Sequence, residues 1–191
     1  MKNVDLKNKK IEFNHNQNRF IFETCTGLFS PRYIDKGTLI MLDNIDFQKD
    51  DIVLDLGCGY GVVGIIAAKI ISAEQIYMSD VNPIAVSYAV KNALRNGVEG
   101  VNIQISDVYE SFGDMNFTKI ICNPPYHTDF SVAKRIIEGA FYRLLPEGTL
   151  YLVTKRKEWY KRKCISVFGG VKIIEKDNYF VFKSYKKISL Q

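Results

Sequence analysis

From residue 51 onward the hydrophobic positions fall into short continuous runs, separated by longer segments in which apolar residues recur at helical spacing. The runs are "DIVLDL", "QIYMSD", "VNIQIS", "KIICN" and "TLYLVTK". Each has the length of a strand covered on both faces, as in a parallel sheet. Between them the pattern predicts helices from Gly61 to Ile71, from Pro83 to about Asn96 with Gly97 as the stop, and over residues 131–145 ahead of "PEG". "KRKEWYKRKCISVF" predicts a further helix ended by Gly169-Gly170. "VKIIEK" and "NYFVFKSYK" flank Asp177-Asn178 and predict an antiparallel pair. Upstream, "KKIEFNHNQNRFIFETC" alternates apolar and polar residues around an Asn-rich turn, the pattern of a β-hairpin near residues 9 to 25. "GLFSPR" reads as a loop, and Asp35 is placed to cap a short helix running through Asn44. Together these elements predict an α/β fold. Its doubly wound, mostly parallel seven-stranded sheet ends in an antiparallel hairpin and is preceded by an N-terminal β-hairpin.

Composition narrows this picture without changing it. A chain of 191 residues with 47% hydrophobic positions can bury one substantial core, so a single domain over residues 1–191 is expected. The net charge of +5 becomes informative only where basic residues cluster. Cys25, Cys58, Cys122 and Cys164 lie far apart, with no C-x-x-C pair and no histidine at ligand spacing. That argues against zinc and for four reduced thiols in a cytoplasmic protein. The first ten residues, MKNVDLKNKK, are too polar for a secretory signal, and no apolar run is long enough to cross a bilayer.

The chemistry concentrates at strand ends. "VLDLGCGYGVVG" (53–64) carries two overlapping glycine patterns. Gly59-Tyr60-Gly61-Val62-Val63-Gly64 fits the dinucleotide fingerprint, but its first glycine lies four residues past Asp55. Asp55 would then set a carboxylate near a pyrophosphate, where like charges repel. A ligand with an ammonium or sulfonium group and no phosphate suits this loop better, and S-adenosylmethionine (SAM) has both. Gly57, Gly59 and Gly61 would let the backbone approach such a ligand closely. Asp80 ends the next strand, where an acidic residue accepts from ribose hydroxyls, and Asp107 follows the third strand within reach of an adenine amino group. Asp55 and Asp80 also read as helix caps, a role aspartate favours.

The fourth strand exits through Asn123-Pro124-Pro125-Tyr126. Two prolines stiffen the backbone and remove two amide donors, leaving the Asn123 side-chain oxygen and the Pro124 carbonyl as acceptors. Rigid acceptors suit a planar exocyclic amine with two N–H donors, and Tyr126 offers a face for a stacked base. In an arbitrary sequence the same tetrapeptide is only a turn. His127 reads as a lining residue, because methyl transfer from a sulfonium needs little acid–base help.

"DLGCGYG" with Asp80, Asp107 and "NPPY" resembles the class I SAM-dependent methyltransferases that act on amino groups. "GLFSPRYIDKGTLIML", "NPPYH" and "LLPEGTLYLVTKRKEWYKRKCISVFGGVKIIEKDNYFVFKS" are similar to the methyltransferase small-domain family, which includes the ribosomal RNA small-subunit guanine-N2 methyltransferases. The likeness runs from about residue 8 to residue 186. It implies a Rossmann-like core over residues 35–191, with residues 1–34 forming the hairpin and a loop that covers the cofactor. It further implies that Phe29, Ser30, Asp55, Gly57, Cys58, Gly59, Gly61, Asp80, Val81, Asp107, Val108 and Asn123 bind SAM. Asn123, Pro124, Pro125 and Tyr126 would hold the target amine, with no metal. The expected acceptor is guanine N2 in RNA, either ribosomal RNA or the ribosomal subunit. The best-known guanine-N2 members resemble two such domains in tandem and tend to read NPPF. NPPY is shared with adenine-N6 and protein-glutamine methyltransferases, and a small-molecule amine is a further alternative.

Lys155, Arg156, Lys157, Lys161, Arg162 and Lys163 crowd nine residues around Trp159 and Tyr160. Basic residues interleaved with aromatics suit phosphate neutralisation plus stacking, so Lys155, Arg156, Lys157, Lys161, Arg162 and His127 are RNA-contact candidates. The competing reading is a solvated amphipathic helix whose Trp159 packs on the sheet.

Overall fold

The computed structural model describes residues 7–124 and 130–187. Strands β1 (Asn8–His15) and β2 (Asn18–Cys25) form an antiparallel hairpin. Its turn, Asn16-Gln17, has both residues at positive φ, the conformation that matches strand twist in two-residue hairpin turns. The chain then makes helix α1 (Lys36–Leu42), β3 (Val53–Leu56), α2 (Val62–Ala67), β4 (Ile76–Asp80), α3 (Pro83–Arg95) and β5 (Asn102–Ile105). It continues through β6 (Phe117–Cys122), α4 (Phe130–Arg143), β7 (Leu144–Thr154), α5 (Lys157–Phe168), β8 (Lys172–Lys176) and β9 (Tyr179–Tyr185). The expected seven-stranded sheet has the order β5-β4-β3-β6-β7-β9-β8, with β9 antiparallel to both its neighbours. Helix α2 is shorter than the sequence predicts, ending at Ala67 with turns through Ile71. Among the described residues no helix is long and apolar enough to cross a membrane.

Side-chain alternation divides the interior in two. Val53, Ile121, Tyr151, Val153 and Val181 point to one face, where α1, α2, α3 and the N-terminal hairpin pack. Leu54, Leu56, Ile120, Leu150, Leu152 and Phe182 point to the other, against α4 and α5. Burial on both faces is why these strands read as unbroken apolar runs.

The hairpin is fastened to the core by two asparagines one helical turn apart, Asn92 of α3 and Asn96, the residue that caps its C-terminus. The Asn96 side chain accepts from the Ile21 N–H (3.0 Å) and donates to its carbonyl (2.9 Å). Asn92 does the same for Glu23 (2.7 and 2.8 Å). The amides thus stand in for a neighbouring strand and satisfy one edge of β2. Asn92 is fully buried and also donates to the Tyr60 carbonyl at 2.8 Å, tying the hairpin to the glycine loop.

Strand order reverses between β3 and β6, and the carboxyl ends of β3, β4, β5 and β6 open to the same side. In open α/β sheets that is where ligands bind.

Candidate functional site

At this switch point lies a cavity of about 280 Å³, near the lower end for small-molecule sites. Among the described residues its wall includes Phe29, Ser30, Asp55, Gly57, Cys58, Gly59, Asp80, Val81, Asp107, Val108, Asn123 and Pro124. Of the sequence candidates for the cofactor, Gly61 alone does not line it. Pro125, Tyr126 and His127 lie outside the described residues.

The glycine loop is shaped by backbone. Gly57 and Cys58 both donate their N–H to the Ser79 carbonyl at 2.8 Å, which pins the loop to the end of β4. Gly59 (φ +57°) and Gly61 (φ +98°) are left-handed. A Cβ on Gly59 would meet nothing within 4 Å, so bare backbone faces open space there. Gly61 sits behind the cavity, where a Cβ would come within 2.9 Å of both Ile65 and Met78. Gly64, the last glycine of the dinucleotide-like pattern, explains that coincidence: its Cβ would lie 2.5 Å from Met78. That glycine lets α2 lie on the sheet and need not serve a phosphate.

The carboxylates have definite roles in this frame. Asp55 is buried, and its Oδ2 accepts from the Gly64 N–H at 2.9 Å, so it caps α2 from a distance while lining the cavity. Burial pushes its pKa up to about 7, against the lowering effect of the Gly64 hydrogen bond and with a further push from Asp80. Asp80 does not cap α3: Asn82 does, accepting from the Ile84 N–H at 2.9 Å. The Asp80 oxygens instead accept from Gly59 N–H and Asn82 N–H, each at 2.9 Å, holding the loop to the strand end. Asp107 is half-exposed and faces Arg135 of α4, with Nη1 3.0 and 3.2 Å from its two oxygens; Arg135 also reaches Glu110 at 3.2 Å.

The covering loop meets the cavity through Phe29 and Ser30. Ser30 Oγ donates to the Tyr33 carbonyl at 2.5 Å, and the Ser30 carbonyl accepts from Tyr60 Oη at 3.3 Å. All four cysteines are free and buried. Burial raises the Cys58 and Cys122 thiols far above their ordinary value, which leaves these cavity neighbours protonated and inert.

Asn123 is held by residues from the far end of the chain. Its Nδ2 donates to Asp35 Oδ2 at 3.0 Å and to Thr38 Oγ1 at 2.9 Å. Asp35 caps α1 by accepting from the Thr38 N–H (3.0 Å) and also accepts from Tyr179 Oη at 3.4 Å. Both Asp35 and Thr38 line the cavity. The sequence marked Asp35 only as a cap and did not mark Thr38, because their link to Asn123 spans 88 and 85 positions.

The basic segment is only partly available to a ligand. Lys157 pairs with Glu175 at 2.9 Å and lies over Phe180, so its charge is engaged; Lys163 pairs with Glu138. Lys155 sits over Tyr179 and Arg156 over Phe130, while Lys161 and Arg162 are exposed. Trp159 is half-buried and stacks on Phe130, at the start of α4, with ring centroids 4.3 Å apart.

The cavity fits a cationic nucleoside cofactor by the chemistry of its donor set: a side-chain-free cradle at Gly59, three carboxylates at successive strand ends, and apolar walls from Val108, Val132 and Ile136. The chain is 30% identical to the uncharacterized protein YbxB of Bacillus subtilis, across 87% of this chain and 86% of that one. It is 32% identical to ribosomal RNA small subunit methyltransferase C of Mannheimia succiniciproducens, across 84% of this chain and 49% of the relative; it thus spans about half of that enzyme. In fold it matches the T. thermophilus 16S rRNA N2 G1207 methyltransferase (RsmC) solved with AdoMet and guanosine. The TM-score is 0.84 at 22% identity, covering 94% of this chain and 51% of that one. The family model for the methyltransferase small domain matches residues 19–183, and the chain belongs to that family.

Proposed function

We propose that the protein is a SAM-dependent N-methyltransferase that acts on an exocyclic amine of a nucleobase in RNA, guanine N2 of ribosomal RNA being the first choice. The observation that carries the reading is the placement of Asn123 and Pro124 on the wall of the same cavity as the glycine cradle and the three strand-end carboxylates. Family membership supports methyl transfer. The rRNA relatives and the guanosine held by the T. thermophilus enzyme support the choice of base and polymer.

SAM, when bound, supplies a methyl group activated by a sulfonium. Phe29, Ser30, Asp55, Gly57, Cys58, Gly59, Asp80, Val81, Asp107 and Val108 would hold it, with Gly61 setting the loop from behind. Asn123 Oδ1 and the Pro124 carbonyl accept the two hydrogens of the target amine, which orients its nitrogen and keeps its electron pair directed into the cavity. Holding the two reactants in one geometry supplies much of the rate enhancement. On the sequence reading Pro125 would stiffen the strand exit and Tyr126 would offer a stacking face; both lie outside the described residues. Lys155, Arg156, Lys161 and Arg162 contact RNA, and His127, outside the described residues, is a further candidate.

Asn123→Ala is the deciding experiment. Turnover on stripped ribosomal RNA should fall by about 100-fold or more while SAM affinity, by calorimetry, changes little. Equal loss of both would remove Asn123 from its assigned role. RNA affinity should also weaken steeply with salt. Because NPPY also suits adenine N6, a protein glutamine or a small-molecule amine, labelled methyl transfer is compared between ribosomal RNA and a protein extract. Labelling of protein alone would move the acceptor out of RNA.

A further inference from the structure

We infer that Asp35 and Thr38 are positioning residues for the amine-accepting group: together they fix the Asn123 amide so that its oxygen, and not its nitrogen, is offered to the acceptor. An asparagine amide is nearly symmetric in shape but opposite in chemistry at its two ends. At the target amine only the oxygen end can serve, since the amine itself donates. Something must therefore choose the rotamer.

The structure supplies that choice through a group with no ambiguity. The Asp35 carboxylate can only accept, so the end of Asn123 that lies 3.0 Å from it must be the N–H end. Turning the amide over would set two acceptors against each other there, whereas Thr38 Oγ1, a hydroxyl that can donate as well as accept, holds the amide in place while the carboxylate chooses its polarity. Asp35 is itself held in place. It is the N-cap of α1, anchored by the Thr38 N–H, and Tyr179 of β9 reaches its other oxygen. Gly37 packs so closely that a Cβ there would come within 2.6 Å of the Tyr179 ring, which keeps the helix start against β9. One capping carboxylate thus sets both a helix end and the polarity of an amide 88 residues away.

The functional half of this inference rests on the reading of Asn123 as the amine acceptor, so the test separates the two. Asp35→Ser keeps a good N-cap for α1 but is one atom too short to reach Asn123. Thr38→Val removes the second acceptor at constant shape. In the double variant kcat on stripped ribosomal RNA should fall about 100-fold, with SAM affinity within about threefold of wild type. Asp35→Asn, whose own carbonyl oxygen can take the place of the carboxylate oxygen, should restore most of the lost turnover. The Asn123 side-chain NH2 signals, identified by their absence in Asn123→Ala, should exchange slowly in the wild type and fast in the double variant. Unchanged kcat in the double variant overturns the inference. So does a loss of SAM affinity as large as the loss of rate, which would assign Asp35 to the cofactor, or fast exchange of the wild-type NH2. A wild type that binds SAM but methylates no RNA sinks the functional reading, and the exchange rates still decide whether the amide is held.

Discussion

The two sides of the cavity are built by different means. On the β3–β4 side the wall is backbone: a left-handed glycine turn pinned by the Ser79 carbonyl and the Asp80 carboxylate, all within residues 55–82. On the β6 side the wall is a side chain, Asn123, whose orientation depends on Asp35, Thr38 and Tyr179. The first side is a property of one stretch of chain. The second exists only once α1, β6 and β9 have met. Damage should therefore differ in kind: changes in the glycine turn should lower stability and cofactor affinity together, whereas changes around Asn123 should reach turnover and leave the rest intact.

Gly61 gives the largest test of that contrast. At φ +98° an L side chain is strained, and its Cβ would press on Ile65 and Met78. The two tips can move but the backbone angle cannot, so Gly61→Ala should cost about 2 kcal/mol. That lowers Tm by about 4–8 °C for a chain of this size, and cofactor affinity should fall with it. Gly59→Ala is the companion. Its φ of +57° lies in the left-handed well and its Cβ meets nothing, so stability should drop by only about 1 kcal/mol while affinity falls further than stability predicts. If Gly61→Ala left Tm unchanged, the turn would not be the rigid part of the site, and the comparison would fail.

The same division decides what the sequence could reveal. The alternating runs, the proline and glycine stops and both two-residue turns are local signals, and they predict the strands and helices to within a few residues, apart from the shortened α2 and from β7, which starts at Leu144 and takes in the "PEG" expected to lie between helix and strand. The glycine turn and its carboxylates are equally local. The sequence did not separate the jobs of those carboxylates, because capping and ligand binding ask for the same residue type. Asp55 caps from seven residues before the helix it serves, and Asp80 leaves capping to Asn82. The strand-mimicking asparagines of α3 and its C-cap, and the grip on Asn123, are contacts between segments far apart in the chain. No spacing rule reports them. The charge run does not show the ion pair at Lys157 for a related reason: Glu175, its partner, lies on β8.

Asp55 offers a test of intermediate size, through pH. Burial holds its pKa near 7, so between the ordinary carboxylate range and about 7 the folded protein keeps a proton that the unfolded chain has released. Stability should fall as pH rises through that window and level off above it, and Asp55→Asn should flatten the slope. A cationic cofactor favours the carboxylate, so SAM binding should tighten as pH rises from 6 to 8 and release a fraction of a proton. Calorimetry in two buffers of different ionisation enthalpy measures that fraction. Zero release at pH 6.5 would mean that Asp55 is not sensed by the ligand and serves α2 alone.

Arg135 tests the edge of the backbone-built side, and its effect should be the smallest. It bridges Asp107 and Glu110 where all three groups are substantially exposed, and such pairs add about 0–1 kcal/mol. Arg135→Gln should therefore leave Tm within about 4 °C of wild type. Its consequence for the cofactor runs through Asp107, which Arg135 steadies at the lip of the cavity. If Asp107 takes the adenine amino group, Arg135→Gln should weaken SAM binding by no more than about threefold, and Asp107→Ala by more. The two losses should not add, because without Asp107 the arginine has nothing to steady; a double-mutant cycle reads that coupling directly. Additive losses would place Arg135 in contact with the ligand on its own account. The cofactor side would then depend on a charged side chain from α4, beyond the apolar packing of Val132 and Ile136, and the distinction between a wall set by backbone polarity and one set by a polar side chain would no longer hold.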